Sequence, residues 1–120
     1  MKRTIVLVAL AAAVLAFPAS SLAHTDVRST SPADGAVRKK APARVSITFT
    51  GQILSGSIVV RKAGKVVSTG SNGIDPRNVA RLTVKLKSGL GNGRYVVSWT
   101  AKAPDGHRQK GTFDFRVKST

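Results

Sequence analysis

The sequence contains no cysteine and no glutamate, and its only methionine is Met1. Without cysteine the chain folds without disulfide bridges, so its stability must come from packing. After Met1 no sulfur ligand remains, and any metal site must be built from nitrogen and oxygen donors. Aromatic side chains are also few, with one tryptophan and one tyrosine.

Long hydrophobic runs are absent except for Ile5 to Phe17, which is too short to span a bilayer and ends at Pro18. Lys2 and Arg3 precede this run, and the small-residue tripeptide Ser21-Leu22-Ala23 follows it. This order predicts a secretory signal peptide over residues 1–23, removed by cleavage after Ala23. We therefore expect a single exported domain, residues 24–120, in the periplasm or elsewhere in the cell envelope.

Acidic residues are scarce, with five aspartates against 20 lysines and arginines. Removing Lys2 and Arg3 leaves 18 basic residues, so the mature chain carries a formal charge of +13. Export and the scatter of these residues, with Arg38-Lys39-Lys40 as the only run, argue against nucleic acid as a partner. We interpret the charge as a solvated cationic surface, with attraction to anionic lipids or cell-wall polymers as the alternative.

Apolar residues recur at every second position, which is typical of half-buried strands. The clearest cases are Val45-Ile47-Phe49, Leu82-Val84-Leu86, Tyr95-Val97-Trp99 and Phe113-Phe115-Val117. About seven short strands are predicted, in an all-β immunoglobulin-like sandwich or Greek-key barrel. Tyr95 and Trp99 are then core aromatics.

Turn residues separate these strands. They predict a hairpin around Ala63-Gly64 and turns at Ser31 to Gly35, Ser71-Asn72-Gly73, Gly91-Asn92-Gly93 and Pro104-Asp105-Gly106. A sandwich of this kind can also place its first strand beside its last, which would make the long sequence separation between the N-terminus and the last strands unimportant.

The two histidines are the candidate metal ligands. His24 would become the first residue of the mature protein, where its α-amine and imidazole can chelate one ion. His107 follows Asp105 by two residues, and side chains at that spacing in extended backbone project to one side about 6 to 7 Å apart. Asp-x-His alone is weak support, because Pro-Asp-Gly is an ordinary turn in which aspartate bonds its own backbone.

The mature chain resembles the copper-resistance protein C (CopC) family of exported copper-binding proteins. The resemblance is carried by His24, by Ser31-Pro32-Ala33-Asp34-Gly35-Ala36, by the strand Ala43 to Phe49, by Gly93 to Trp99 with Asp105-Gly106-His107, and by Gly111 to Phe115. It implies an immunoglobulin-like β-sandwich that holds Cu(II) through the amine and imidazole of His24 with Asp105 and His107. It also suggests a membrane copper-uptake protein as partner.

Three departures from the family pattern stand out. Thr50-Gly51-Gln52-Ile53 has no acid where many relatives carry a glutamate near the copper, and Arg108 replaces the proline that often follows the site histidine. The methionine-rich Cu(I) site of some relatives has no counterpart, which makes a two-site copper carrier a poor fit.

Ligand chemistry leads to the same metal, since three nitrogens and one carboxylate oxygen suit tetragonal Cu(II). We expect a non-enzymatic, monomeric protein with one Cu(II) site that serves copper sequestration, resistance or delivery. One alternative is a copper-dependent polysaccharide monooxygenase-like enzyme, because such enzymes also use an N-terminal histidine. The other is an immunoglobulin-like interaction module whose histidines are incidental.

Overall fold

The computed structural model describes residues 25–119, so the predicted signal peptide and His24 lie outside the described residues. The described chain forms nine strands. They are β1 (Val27–Ser31), β2 (Val37–Arg38), β3 (Arg44–Phe49), β4 (Ser55–Lys62), β5 (Lys65–Val66), β6 (Ser68–Asp75), β7 (Asn78–Leu86), β8 (Gly93–Lys102) and β9 (Arg108–Val117). Within residues 25–119 there is no helix with the length and hydrophobicity needed to cross a membrane.

The strands form two sheets, a four-stranded sheet in the order β1-β3-β7-β6 and a five-stranded sheet in the order β2-β9-β8-β4-β5. Pairing is antiparallel except between β2 and β9, which run parallel. The predicted all-β sandwich is confirmed. Two of the nine strands, β2 and β5, are only two residues long, and the other seven match the predicted number.

The core lies between the sheets and follows the predicted alternation. Val45, Ile47 and Phe49 of β3 are at most 1% exposed. Tyr95 is fully buried and stacks on Phe115, with ring centroids 5.0 Å apart. This confirms Tyr95 as a core aromatic.

Trp99 is partly buried and packs against the core. Its ring meets Phe49 of the opposite sheet edge-on, with centroids 5.2 Å apart. The indole therefore joins the two sheets, as expected of a core aromatic.

The turn predictions are mostly right. Ala63 and Gly64 form the tight β4–β5 turn, and both have the positive φ, 50° and 78°, that such a hairpin turn requires. The turn predicted at Ser71-Asn72-Gly73 is wrong, because these residues lie inside β6. There the Asn72 amide accepts the Ile58 N–H and donates to the Ile58 carbonyl, at 3.0 and 2.8 Å, which links β6 to the opposite sheet.

The expected pairing of the first strand with the last is also wrong. β1 pairs with β3 in the four-stranded sheet, and the short β2 pairs with β9 instead. The first and the last described residues instead lie at opposite ends of the sandwich. We call the end formed by residues 25–26, 50–54 and 103–107 the site end, and the end formed by residues 39–43, 87–92 and 118–119 the basic end.

Candidate metal site

The β8–β9 loop is a closed turn that brings Asp105 and His107 into contact. The Gly106 N–H donates to the Ala103 carbonyl and the Ala103 N–H donates to the His107 carbonyl, both at 2.9 Å. Gly106 has φ +88°, a left-handed conformation that glycine adopts without strain. The backbone is thus tightly turned at Asp105 and His107 and not extended as the spacing suggested.

Both oxygens of Asp105 contact His107. Oδ1 accepts the His107 backbone N–H at 2.9 Å, and Oδ2 lies 2.6 Å from the ring atom Nδ1. The His107 side chain is 75% exposed and that of Asp105 is 24% exposed. The imidazole is therefore oriented by a carboxylate yet open to an ion from solvent.

The hydrogen bond that the Asp105 carboxylate accepts, together with the negative charge of that carboxylate, raises the pKa of His107 above its ordinary value of 6.5. A proton on the ring is stabilised by this contact. A metal must compete with a proton for whichever ring nitrogen it takes, so binding here depends on pH.

The first described residues are fastened to the β3–β4 loop. The Asp26 N–H donates to Thr50 Oγ1 at 3.0 Å, and the Thr50 N–H donates to the Asp26 carbonyl at 2.8 Å. Thr25 is only 7% exposed, and its hydroxyl lies 3.9 Å from where a Cβ on Gly51 would stand. The chain that follows His24 therefore has a defined position.

The β3–β4 loop in turn joins the β8–β9 loop. The Leu54 N–H donates to the Lys102 carbonyl at 2.8 Å, at the end of β8 and just before the turn that carries Asp105 and His107. The segment after His24 and the Asp105–His107 pair thus lie at the same end of the sandwich, although 80 residues separate Thr25 from Asp105 in the chain.

The structure brings together two of the three predicted ligands, Asp105 and His107. The third, His24, directly precedes the described residues. Within residues 25–119 no group of three or more His, Cys, Asp or Glu side chains forms a metal cluster.

Sequence reasoning missed two residues that support the site end. Thr50 anchors the N-terminal segment, although no motif of the sequence marks it as more than a residue that is not an acid. Gly111 pairs with Trp99 across β8 and β9, and a Cβ there would stand 2.7 to 2.8 Å from three indole atoms. The absence of a side chain at Gly111 leaves the space that Trp99 occupies. No local sequence motif indicates this requirement.

The fold and this arrangement define a class: a small all-β sandwich with an oriented Asp-His pair and its N-terminal segment at one end. Residues 27–118 match the protein family described as CopC domain. The match covers most of the chain, so the chain belongs to the CopC family. The resemblance found in the sequence is confirmed.

Copper transport protein CutJ of Bacillus subtilis (strain 168) is 32% identical to this chain over 103 residues. The alignment covers 83% of this chain and 19% of CutJ. The chain thus corresponds to about a fifth of that relative's length.

Two solved structures share the fold. CopC from Methylosinus trichosporium OB3b has a TM-score of 0.69 at 25% identity, covering 80% of this chain and 95% of that one. PcoC, a methionine-rich copper resistance protein from Escherichia coli, has a TM-score of 0.66 at 20% identity, covering 80% of this chain and all of that one. The present chain differs from a methionine-rich protein in that Met1 is its only methionine.

Proposed function

We propose that this protein is an exported, monomeric, non-enzymatic Cu(II)-binding protein whose single site lies at the mature N-terminus. The ligands are the α-amine and imidazole of His24, the carboxylate of Asp105 and the imidazole of His107. The observation that carries the proposal is the contact between Asp105 and His107 at the same sandwich end as the anchored segment that follows His24.

The donor set favours copper among the divalent metals. Amine, imidazole and carboxylate donors suit tetragonal Cu(II), which also lies at the top of the divalent affinity series. Cu(I) prefers thiolate or thioether sulfur, which the sequence lacks after Met1. Binding should therefore discriminate between the two oxidation states.

The spacing of the Asp105 and His107 donor atoms is compatible with one ion. Oδ2 of Asp105 and Nδ1 of His107 are 2.6 Å apart. Two adjacent ligands of a tetragonal ion, each about 2.0 Å from the metal, stand roughly 2.8 Å from each other. An ion could thus bind both atoms once the two side chains turn their lone pairs toward it.

The biological role we propose is copper sequestration, resistance or delivery in the periplasm or cell envelope, with a membrane copper-uptake protein as a partner. The family membership supports this role, as do the copper transport and copper resistance relatives. The predicted signal peptide at residues 1–23 supports the location.

The decisive experiment inserts one glycine before His24. The insertion keeps every side chain but moves the free amine away from the imidazole, which destroys the chelate ring formed by a single residue. Intact mass should first show that the secreted protein begins at His24. Cu(II) titration should then give one equivalent bound tightly by the authentic protein. Paramagnetic resonance should show a different coordination sphere in the extended protein, whose new Gly-His start presents amine, amide and imidazole nitrogens in another geometry.

The matched control is one glycine added after Thr120, which lengthens the chain equally at its other end. Equal affinity and an unchanged paramagnetic resonance spectrum in the two extended proteins would refute the N-terminal site. Failure of the authentic protein to bind copper at all would favour the interaction-module alternative. Peroxide formation by the copper-loaded protein with a reductant would favour the monooxygenase-like alternative.

A further inference from the structure

A cleft of about 510 Å³ opens at the basic end of the sandwich, at the opposite end from the candidate metal site. Four exposed lysines line it, namely Lys39, Lys40, Lys85 and Lys87. The lining contains no aspartate and no aromatic side chain. A cleft of this composition attracts anions and offers no ring on which a nucleobase would stack.

A fifth lysine lies at the rim of this cleft. The Nζ atom of Lys62 is 5.8 Å from the centroid of the Tyr95 ring and 3.8 Å from where a Cβ on Gly91 would stand. Because Gly91 lines the cleft, the Lys62 ammonium borders it as well. We call Lys39, Lys40, Lys62, Lys85 and Lys87 the lysine cluster.

The charge of the lysine cluster is not neutralised within residues 25–119. The ion pairs of this range join Asp75 to Arg77 and Arg81, Asp114 to Arg94, and Asp105 to His107. None of them includes a lysine. The lysine cluster therefore places five positive charges around one cleft at the basic end.

Apolar side chains are interspersed with these lysines. Val66 is 45% exposed, and the Lys87 ammonium donates a hydrogen bond to its carbonyl at 3.3 Å. Leu90, Ala41 and Pro42 contribute partly buried apolar surface to the cleft itself. Lysines around exposed apolar groups are the composition of a surface that lies in the headgroup region of a membrane.

We propose that the basic end binds the surface of a bilayer containing anionic phospholipids. The cluster consists of lysines, whose ammonium groups are hydrated point charges on flexible stems and suit many dispersed phosphates better than one shaped anion. The exposed apolar groups favour a bilayer over a soluble polyanion, because only a bilayer offers them a place out of water.

Binding in this way orients the molecule. β8 runs from the basic end to the site end over ten residues, a distance of about 30 Å. With the basic end on the bilayer, the site end faces away from it, open to metal arriving from the surrounding solution. The proposal is independent of copper binding, since the lysine cluster shares no residue with the candidate metal site.

The test is sedimentation of the mature protein with vesicles of phosphatidylcholine alone or with 30% phosphatidylglycerol. A lysine near an anionic surface changes partitioning by about fivefold, so Lys39→Gln with Lys40→Gln should weaken binding to the anionic vesicles by roughly 25-fold. The matched control is Lys102→Gln with Lys110→Gln, which removes the same charge near the site end and should leave binding nearly unchanged. Thermal unfolding checks that both variants fold.

Equal losses in the two double variants would overturn the proposal, because net charge alone would then explain the attraction. Stronger binding to soluble polyphosphate or duplex DNA than to anionic vesicles at equal ionic strength would also overturn it. The glycine inserted before His24 should change copper binding but not vesicle binding. The vesicle experiment therefore tests the membrane proposal whether or not the copper site is correct.

Discussion

Thr50 and Asp26 exchange two hydrogen bonds, one from the Asp26 N–H to the Thr50 hydroxyl and one from the Thr50 N–H to the Asp26 carbonyl. Asp26 lies two residues after His24, the proposed chelating residue. This double contact holds the N-terminal segment on the loop that follows β3. Thr50 therefore acts as a positioning residue for the proposed site.

Thr50→Val should weaken Cu(II) binding while the sandwich stays folded. The substitution removes one hydrogen bond worth about 1 kcal/mol. This corresponds to roughly a fivefold decrease in the equilibrium constant for docking the N-terminal segment. Calorimetric titration of the two proteins measures the effect. Thr48→Val is the matched control, since the Thr48 hydroxyl accepts its hydrogen bond from Arg81 of β7 and not from Asp26. Equal affinity losses in both variants would show that Thr50 has no special role.

His107→Ala should weaken Cu(II) binding strongly, because it removes one imidazole and leaves the amine chelate as a poorer site. Asp105→Ala should cost less affinity but alter the coordination geometry, since it removes an anionic oxygen instead of a nitrogen. Titration and paramagnetic resonance of both variants separate the two effects. Asp34→Ala, at an exposed residue of another loop, should change neither. An unaltered spectrum in Asp105→Ala would argue against Asp105 as a ligand.

Copper affinity should fall as the pH drops from about 8 to 5, because the α-amine and both imidazoles must lose protons before they bind. Asp105 raises the pKa of His107, so protons compete at this ring from a higher pH than at an ordinary histidine. In Asp105→Asn, the part of this loss of copper affinity that protonation of His107 causes should move to lower pH. Competition titrations across this range measure it, and a flat profile would contradict the ligand assignment.

The raised pKa of His107 also makes the stability of the copper-free protein depend on pH, in the opposite direction to copper affinity. The folded pKa of His107 is raised, so its contact with Asp105 stabilises the fold fully below the unfolded value of about 6.5. This contribution is lost as the pH rises through the higher folded value. Acid thus favours the Asp105–His107 contact and disfavours copper.

Gly111→Ala should destabilise the protein by about 1 to 3 kcal/mol, because the added methyl group would overlap the indole of Trp99 and force it to move. Trp99 is the only tryptophan, so its fluorescence spectrum reports the movement directly. Gly70→Ala is the control, since a Cβ there meets nothing within 4 Å. Chemical unfolding that shows no difference between the two variants would indicate that Trp99 accommodates the methyl group without strain.

Most of the fold was predictable because alternation is a local property. Val45, Ile47 and Phe49 face the core as their spacing predicted, since consecutive side chains of a strand point to opposite faces. The Ala63-Gly64 hairpin was predictable for the same reason, because a turn depends on the conformations of adjacent residues. The position of Asn72 inside a strand was not predictable from sequence. Its amide bonds Ile58 on the other sheet, and the residues next to Asn72 in the chain give no indication of that partner.

The candidate site, like the fold, has one part that local sequence determines and another that tertiary structure decides. The chain itself determines the donor types, since Asp105 and His107 two residues apart meet in one local turn and sulfur ligands are absent. Tertiary structure decides which distant segments join them. Asp26 bonds Thr50, and the loop after Thr50 meets the end of β8, because burying the alternating apolar faces sets the register of both sheets. The lysine cluster likewise gathers residues from three separate stretches of sequence, and only the closed sandwich brings their charges to one end.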